Sequence, residues 1–140
     1  FARYHPAGQL GRNLLLRAKD VMLKLEELPL FDQSSTFRHV MLELTSSLVG
    51  VALFVDANGK LDGMLTDGDI RRILGTSNTA LIDDHAYPMI NRGGVAVNEQ
   101  DSVGEVLTVM EDRDRPLNLV PVVDSDLRLL GLIRIHDVLR

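Results

Sequence analysis

Apolar residues fall along this chain in a pattern that is written twice. Phe37, Val40, Met41 and Leu44 lie at i, i+3, i+4 and i+7, one face of an α-helix, and Val103, Val106, Leu107 and Met110 repeat that spacing. Ser102 with Glu105 forms a capping-box start for the second helix, while Ser34, Ser35 and Thr36 are candidate caps for the first. Each helix is followed by an apolar strand, Val51 to Val55 and Leu119 to Val123. Each strand runs into an acidic turn, Asp56-Ala57-Asn58-Gly59 in one copy and Asp124-Ser125-Asp126 in the other. Asn58-Gly59 tolerates positive φ and predicts a hairpin. Second strands follow, Leu61 to Thr66 and Leu129 to Ile135, and each leads to an acidic residue opening a short helix, Asp69 or Asp137.

The register of the two copies is constant. Asp56 to Asp124, Gly63 to Gly131 and Asp69 to Asp137 are each 68 residues apart, whereas Val40 to Val106 is 66. Two extra residues therefore enter the second copy between helix and strand, near Arg115-Pro116-Leu117. Leu28-Pro29-Leu30 and the stretch from Gly94 to Val97 predict a first strand for each copy, so each repeat reads β-α-β-β-α. The fold class is α/β (α+β). A small three-stranded sheet with helices on one side leaves an apolar face bare. Two such sheets packed face to face, with pseudo-twofold symmetry, would cover it and leave two equivalent clefts as default ligand sites.

Composition narrows the function. Fifteen Lys+Arg against 20 Asp+Glu give a net charge of −5, and the short Arg pairs are scattered, which argues against a nucleic-acid partner. No apolar run approaches the roughly 18–20 residues that span a bilayer. The absence of cysteine excludes disulfides, thiol catalysis and Cys-based metal sites, and fits a reducing, cytoplasmic setting. Phe1-Ala2-Arg3-Tyr4-His5-Pro6 resembles neither a signal peptide nor a translation start, so the chain is expected to be a fragment.

Gly63-Met64-Leu65-Thr66-Asp67-Gly68-Asp69 matches the Gly-apolar-x-Thr/Ser-x-x-Asp nucleotide signature of CBS-domain pairs (cystathionine-β-synthase repeats, or Bateman modules), and Asp20-Val21-Met22 resembles their opening, with Tyr87-Pro88-Met89 a looser echo. The chain resembles that family from about Asp20 to Arg140. A narrower resemblance is to bacterial arabinose-5-phosphate isomerases. His5-Pro6-Ala7-Gly8-Gln9-Leu10-Gly11-Arg12 is similar to the stretch that joins their sugar-isomerase (SIS) domain to their CBS pair. Thr66-Asp67-Gly68-Asp69-Ile70-Arg71-Arg72 and His136-Asp137-Val138-Leu139-Arg140 look like two more of their motifs.

That resemblance implies residues 1–19 as a linker from an SIS domain, 20–75 as the first repeat, 76–84 as the inter-repeat linker and 85–140 as the second. It implies a parent that interconverts ribulose 5-phosphate and arabinose 5-phosphate for Kdo, in lipopolysaccharide or capsule synthesis, with His5 contributing to an isomerase site outside this fragment. The fragment itself is expected to be non-catalytic. Its partners would be a small-molecule effector, the SIS domain of the same chain and further copies in a homodimer or higher oligomer. No cofactor is required; the effector would be a regulatory nucleotide or nucleotide sugar such as AMP or CMP-Kdo.

The expected ligand residues each have a plainer alternative. Asp69 could accept a ribose diol and Thr66 a ribose or phosphate oxygen, at a helix N-terminus that favours phosphate. Equally, Thr66-x-x-Asp69 is a capping box. Arg134 stands where Thr66 stands, with Asp137 keeping the acidic position; Arg134 could pair with a phosphate or sugar carboxylate, or be a surface arginine at a strand end. Pro29, Ala52, Gly94 and Pro121 flank the expected clefts, where the family presents backbone groups to a base, or else simply punctuate strands. The histidines show no ligand spacing, so no metal is expected. Three functions remain open: a ligand-sensing regulatory module, a structural oligomerisation module, and an enzyme. Asp69→Ala and Arg134→Ala are expected to weaken ligand binding with the fold intact.

Overall fold

The computed structural model describes residues 14–47, 49–76 and 82–139. His5 and most of the expected linkers lie outside the described residues. Five α-helices and seven strands are described: α1 (Ala18–Val21), β1 (Leu23–Lys24), β2 (Leu30–Phe31), α2 (Phe37–Ser46), β3 (Val51–Val55), β4 (Leu61–Thr66), α3 (Asp67–Thr76), β5 (Val97–Asn98), α4 (Val103–Glu111), β6 (Leu119–Val123), β7 (Leu129–Arg134) and α5 (Ile135–Val138). Both expected caps form, since the Thr36 hydroxyl accepts from the His39 N–H at 3.2 Å and the Ser102 hydroxyl from the Glu105 N–H at 3.1 Å. The two extra residues of the second copy fall in the connection from Glu111 to Leu119, as the spacing requires.

The chain divides into two compact units, and these are not the contiguous repeats. One comprises the residues up to Glu27 together with Val95 onward; the other comprises Leu28–Gly94. The first unit holds a four-stranded sheet ordered β1-β7-β6-β5, and the second a three-stranded sheet ordered β2-β3-β4. Each repeat therefore lends its opening segment to the unit built from the other repeat. β1 pairs antiparallel with β7, placing Leu23 opposite Leu132, while Asn91 makes the corresponding bridge to Met64 on β4. Leu23 and Asn91 are 68 residues apart, as are Leu132 and Met64, so the exchange is reciprocal and in register. That register also aligns Met22 with Ile90, one residue later than the Met22–Met89 match expected from the motifs.

Each unit has its own core. In the first, Val103, Val106, Leu107 and Met110 of α4 pack with Ala18, Val120, Val122 and Ile133. In the second, Phe37, Val40 and Leu44 of α2 pack with Phe31, Ala52, Phe54, Leu65 and Ala86. The first strand of each repeat lies closer to its helix than the sequence suggested. β2 starts after Pro29, which lacks an N–H for the ladder, and β5 starts only at Val97, beyond the exposed Gly93-Gly94. Ile135 ends the expected last strand by opening α5.

The two acidic turns share a mechanism. Asp56 Oδ1 accepts the N–H groups of Asn58 and Lys60 at 2.8 and 2.9 Å, and Asp124 Oδ1 those of Asp126 and Arg128 at 2.8 and 3.0 Å. Gly59 takes φ +80 in the first turn, and Leu127 takes φ +68 at the matching position of the second. A side chain held in the left-handed region is disfavoured by about 1–2 kcal/mol. Leu127 is also 62% exposed and packs little. Leu127→Gly is therefore expected to raise the thermal midpoint slightly, and a fall on thermal denaturation would contradict this account of the turn.

Candidate functional site

The strand–helix junction at Thr66–Asp69 follows directly from the sequence. β4 ends at Thr66, and α3 begins at once with Asp67, so no loop separates them. The capping box is formed: the Thr66 N–H donates to Asp69 Oδ2 at 2.9 Å, and the Asp69 N–H donates to Thr66 Oγ1 at 3.1 Å. Two further donors reach the same carboxylate. Asn91 Nδ2 donates to Oδ2 at 2.7 Å, and the Arg72 guanidinium donates to Oδ1. Burial alone would push the Asp69 carboxyl up. The hydrogen bonds from Thr66 and the Arg72 charge outweigh burial and hold it below the usual carboxylate range.

Asp69 is thus an anchored anion. Its side chain is only 12% exposed, but that of Arg72 is 67% exposed. Only the Arg72 end of this pair stands largely in water, so Arg72 can leave for solvent when another donor takes its place at the shielded carboxylate. Asn91 is the residue that the sequence reading missed. It comes from the exchanged opening segment, and its backbone bonds to Met64, N to O at 2.9 Å and O to N at 3.1 Å, hold the side chain over Asp69. Only the 68-residue match of Asn91 to Leu23 could have signalled it.

At the corresponding junction of the first unit, Arg134 is not an open cation. Its Nε donates to Asp137 Oδ2 at 2.7 Å and its Nη2 to Oδ1 at 3.2 Å, a two-bond fork on the residue that matches Asp69. His136 Nε2 lies 3.4 Å from the same carboxylate. Arg134 occupies the N-cap position of α5 without a side-chain cap, and its guanidinium is engaged by this ion pair.

The remaining expected residues are scattered in role. Ala52 is fully buried on β3 opposite Leu65, with its methyl in the core. The Pro29 carbonyl accepts a long 3.4 Å bond from the Leu53 N–H. Pro121 is the counterpart of Leu53; it pairs with Leu132 on β7, and β5 begins only opposite Val122, which is how the sheet accommodates a proline. Gly94 is exposed, with open space where a Cβ would stand. Arg92 of the glycine turn lies over the Tyr87 ring, 4.3 Å from its centroid. Among the described residues, no group of three or more His, Asp or Glu is arranged to hold a metal. Nor is any helix among them long and apolar enough to cross a membrane.

Two units of sheet and flanking helices, with a Gly-x-x-Thr-x-x-Asp junction, define the class. The CBS domain model matches residues 18–76 and 89–140, and the chain belongs to the CBS domain family. It is 36% identical over 143 residues to arabinose 5-phosphate isomerase KdsD of Yersinia pestis, an alignment covering 100% of this chain and 42% of that protein. The chain thus spans about two-fifths of the length of the curated relatives it matches. CBSX2 in complex with AMP is similar in fold, with a TM-score of 0.74 at 18% identity over 89% of this chain and 94% of that one. A CBS domain pair in complex with 5′-methylthioadenosine and S-adenosyl-L-methionine has a TM-score of 0.75 at 22% identity, covering 90% and 94%.

Proposed function

We propose that this chain is the regulatory, ligand-sensing CBS pair of an arabinose-5-phosphate isomerase, and that it binds a nucleotide or nucleotide sugar, such as AMP or CMP-Kdo, at the Thr66–Asp69 junction. The observation that carries this reading is the state of Asp69: a shielded carboxylate held below the usual range, whose ion-pair partner Arg72 lies largely in water. A ribose diol can take the place of Arg72 with two hydrogen bonds, which frees the guanidinium for a phosphate. Thr66 supplies a hydroxyl beside it, and α3 contributes its N-terminal amides. Backbone groups at Pro29 and Ala52 are the proposed neighbours of the base, and Gly94 and Pro121 flank the equivalent region of the other copy.

The fragment belongs with a cytoplasmic SIS isomerase domain of the same chain and biases it by favouring one of two states. Thermal-shift measurements with AMP, ATP, CMP and CMP-Kdo test the reading. Ligand at about 100 times its dissociation constant adds about 2.7 kcal/mol of apparent stability, and a flat response to all four at millimolar concentration would sink it. A coupled assay on arabinose 5-phosphate should show no turnover by the fragment; measurable turnover would refute the non-catalytic role.

A structural oligomerisation module is the second reading. It is favoured by Leu42, which stands 65% exposed on α2, near a groove lined by Met41, Leu44, Ile70 and Arg71. Ligand-independent dimers in light scattering, with no thermal shift, would favour it.

A further inference from the structure

The two signature junctions are chemically opposite, and the difference goes beyond the lost threonine. At Asp69 the guanidinium partner is a helix residue with a largely solvated side chain, and the other donors are a backbone amide and the Asn91 side-chain amide. At Asp137 the guanidinium comes from the strand end itself. Both side chains are about four-fifths shielded, at 20% and 19% exposure, and two bonds join them. The position that matches Asn91 in this unit is Leu23, which offers no amide. Arg134 thus puts two guanidinium bonds on Asp137 where Thr66, Asn91 and Arg72 each donate to Asp69, but it cannot accept a helix N–H as Thr66 Oγ1 does.

We propose that Arg134 stands in for a ligand at the second junction, so that each chain takes up its nucleotide at Thr66–Asp69 alone. This rests on the nucleotide-sensing reading above for the first half of the statement only. A neutral diol offers Asp137 two hydrogen bonds but no charge, and to bind there it must strand a shielded guanidinium. The same exchange at Asp69 releases a guanidinium that is already in water. Arg134 is thus a specificity-determining residue, setting the stoichiometry at one.

Calorimetric titration with AMP reads this directly. One equivalent per chain is expected, weakened about tenfold or more by Asp69→Asn and unchanged by Asp137→Asn. Arg134→Thr, which restores the signature residue type to the second copy, is expected to add a second equivalent. Two equivalents in the unsubstituted chain, or loss of AMP binding in Asp137→Asn, would overturn the proposal. Complete absence of AMP binding would count against the AMP form of the nucleotide reading instead, and the occlusion is then decided without a ligand. In carbodiimide labelling of the unsubstituted chain, Asp137 should react several-fold more slowly than the exposed Asp126, and Arg134→Gln should remove that protection. Equal labelling of Asp137 and Asp126 in the unsubstituted chain would overturn it, whether or not the variant folds.

Discussion

Gly131→Ala should be among the most damaging single-methyl changes in this chain, with Gly63→Ala close behind. A Cβ at position 131 would stand 2.3 Å from the Leu23 carbonyl oxygen and 2.5 Å from Met22 Sδ. At position 63 it would stand 2.4 Å from the Asn91 carbonyl oxygen and 2.9 Å from Ile90 Cδ1. Methionine and isoleucine tips can turn aside, but a carbonyl in a ladder cannot move without its strand. Relief requires β1 to leave β7, or the Asn91 bridge to leave β4. Overpacking costs about 1–3 kcal/mol, and losing the exchanged pairing places these changes at about 3 kcal/mol, or a fall of about 10 °C in midpoint. Gly59→Ala, where no atom lies within 4 Å of the added carbon but φ is +80, separates steric crowding from backbone strain. If Gly131→Ala melts within a degree or two of the parent, the reciprocal exchange is wrong.

Asp69→Ala is expected to damage stability and binding together, contrary to the expectation from sequence that the fold would be untouched. The Thr66 N–H would lose its acceptor at a part-buried site, and the amide of the exposed Asn91 would lose its carboxylate partner. Such losses cost about 1–3 kcal/mol, so a loss of about 2 kcal/mol in urea denaturation is predicted. Its pH dependence is distinctive. The folded carboxyl sits below its unfolded value, so its contribution is fully present above the ordinary range near 4 and is lost as pH falls through the lower, folded value. Asp69→Asn should therefore close part of the stability gap between pH 7 and pH 3. An unchanged gap would mean that Asp69 is not held by these partners.

These two predictions mark where the sequence was legible and where it was not. The paired helices and the strands β3, β4, β6 and β7 were readable because each carries a complete apolar period or an alternating core face, bounded by caps and Asx turns. β1, β2 and β5 are two residues long, too short for any period, and their partners are set by tertiary pairing. Gly63 and Gly131 were visible as a repeated signature, but their crowding comes from segments about 30 and 110 residues away along the chain. The capping box at Thr66–Asp69 was legible as one of two alternatives. Asn91 was not, because its role depends on the exchange. Arg134 and Asp137 are three residues apart, a spacing at which an ion pair was available; reading Arg134 as a cation for an external anion left out its nearest carboxylate.

The central claim, that a nucleotide is sensed at the β4–α3 junction, is tested most directly by backbone amide NMR during a titration with AMP and with CMP-Kdo. The account predicts saturable shifts centred on Thr66, Asp67, Gly68 and Asp69, accompanied by the side-chain amide of Asn91 as the diol enters. Shifts confined to the hollow of about 470 Å³ lined by Phe31, Thr36 and His39, with the junction amides unmoved at saturation, would contradict it.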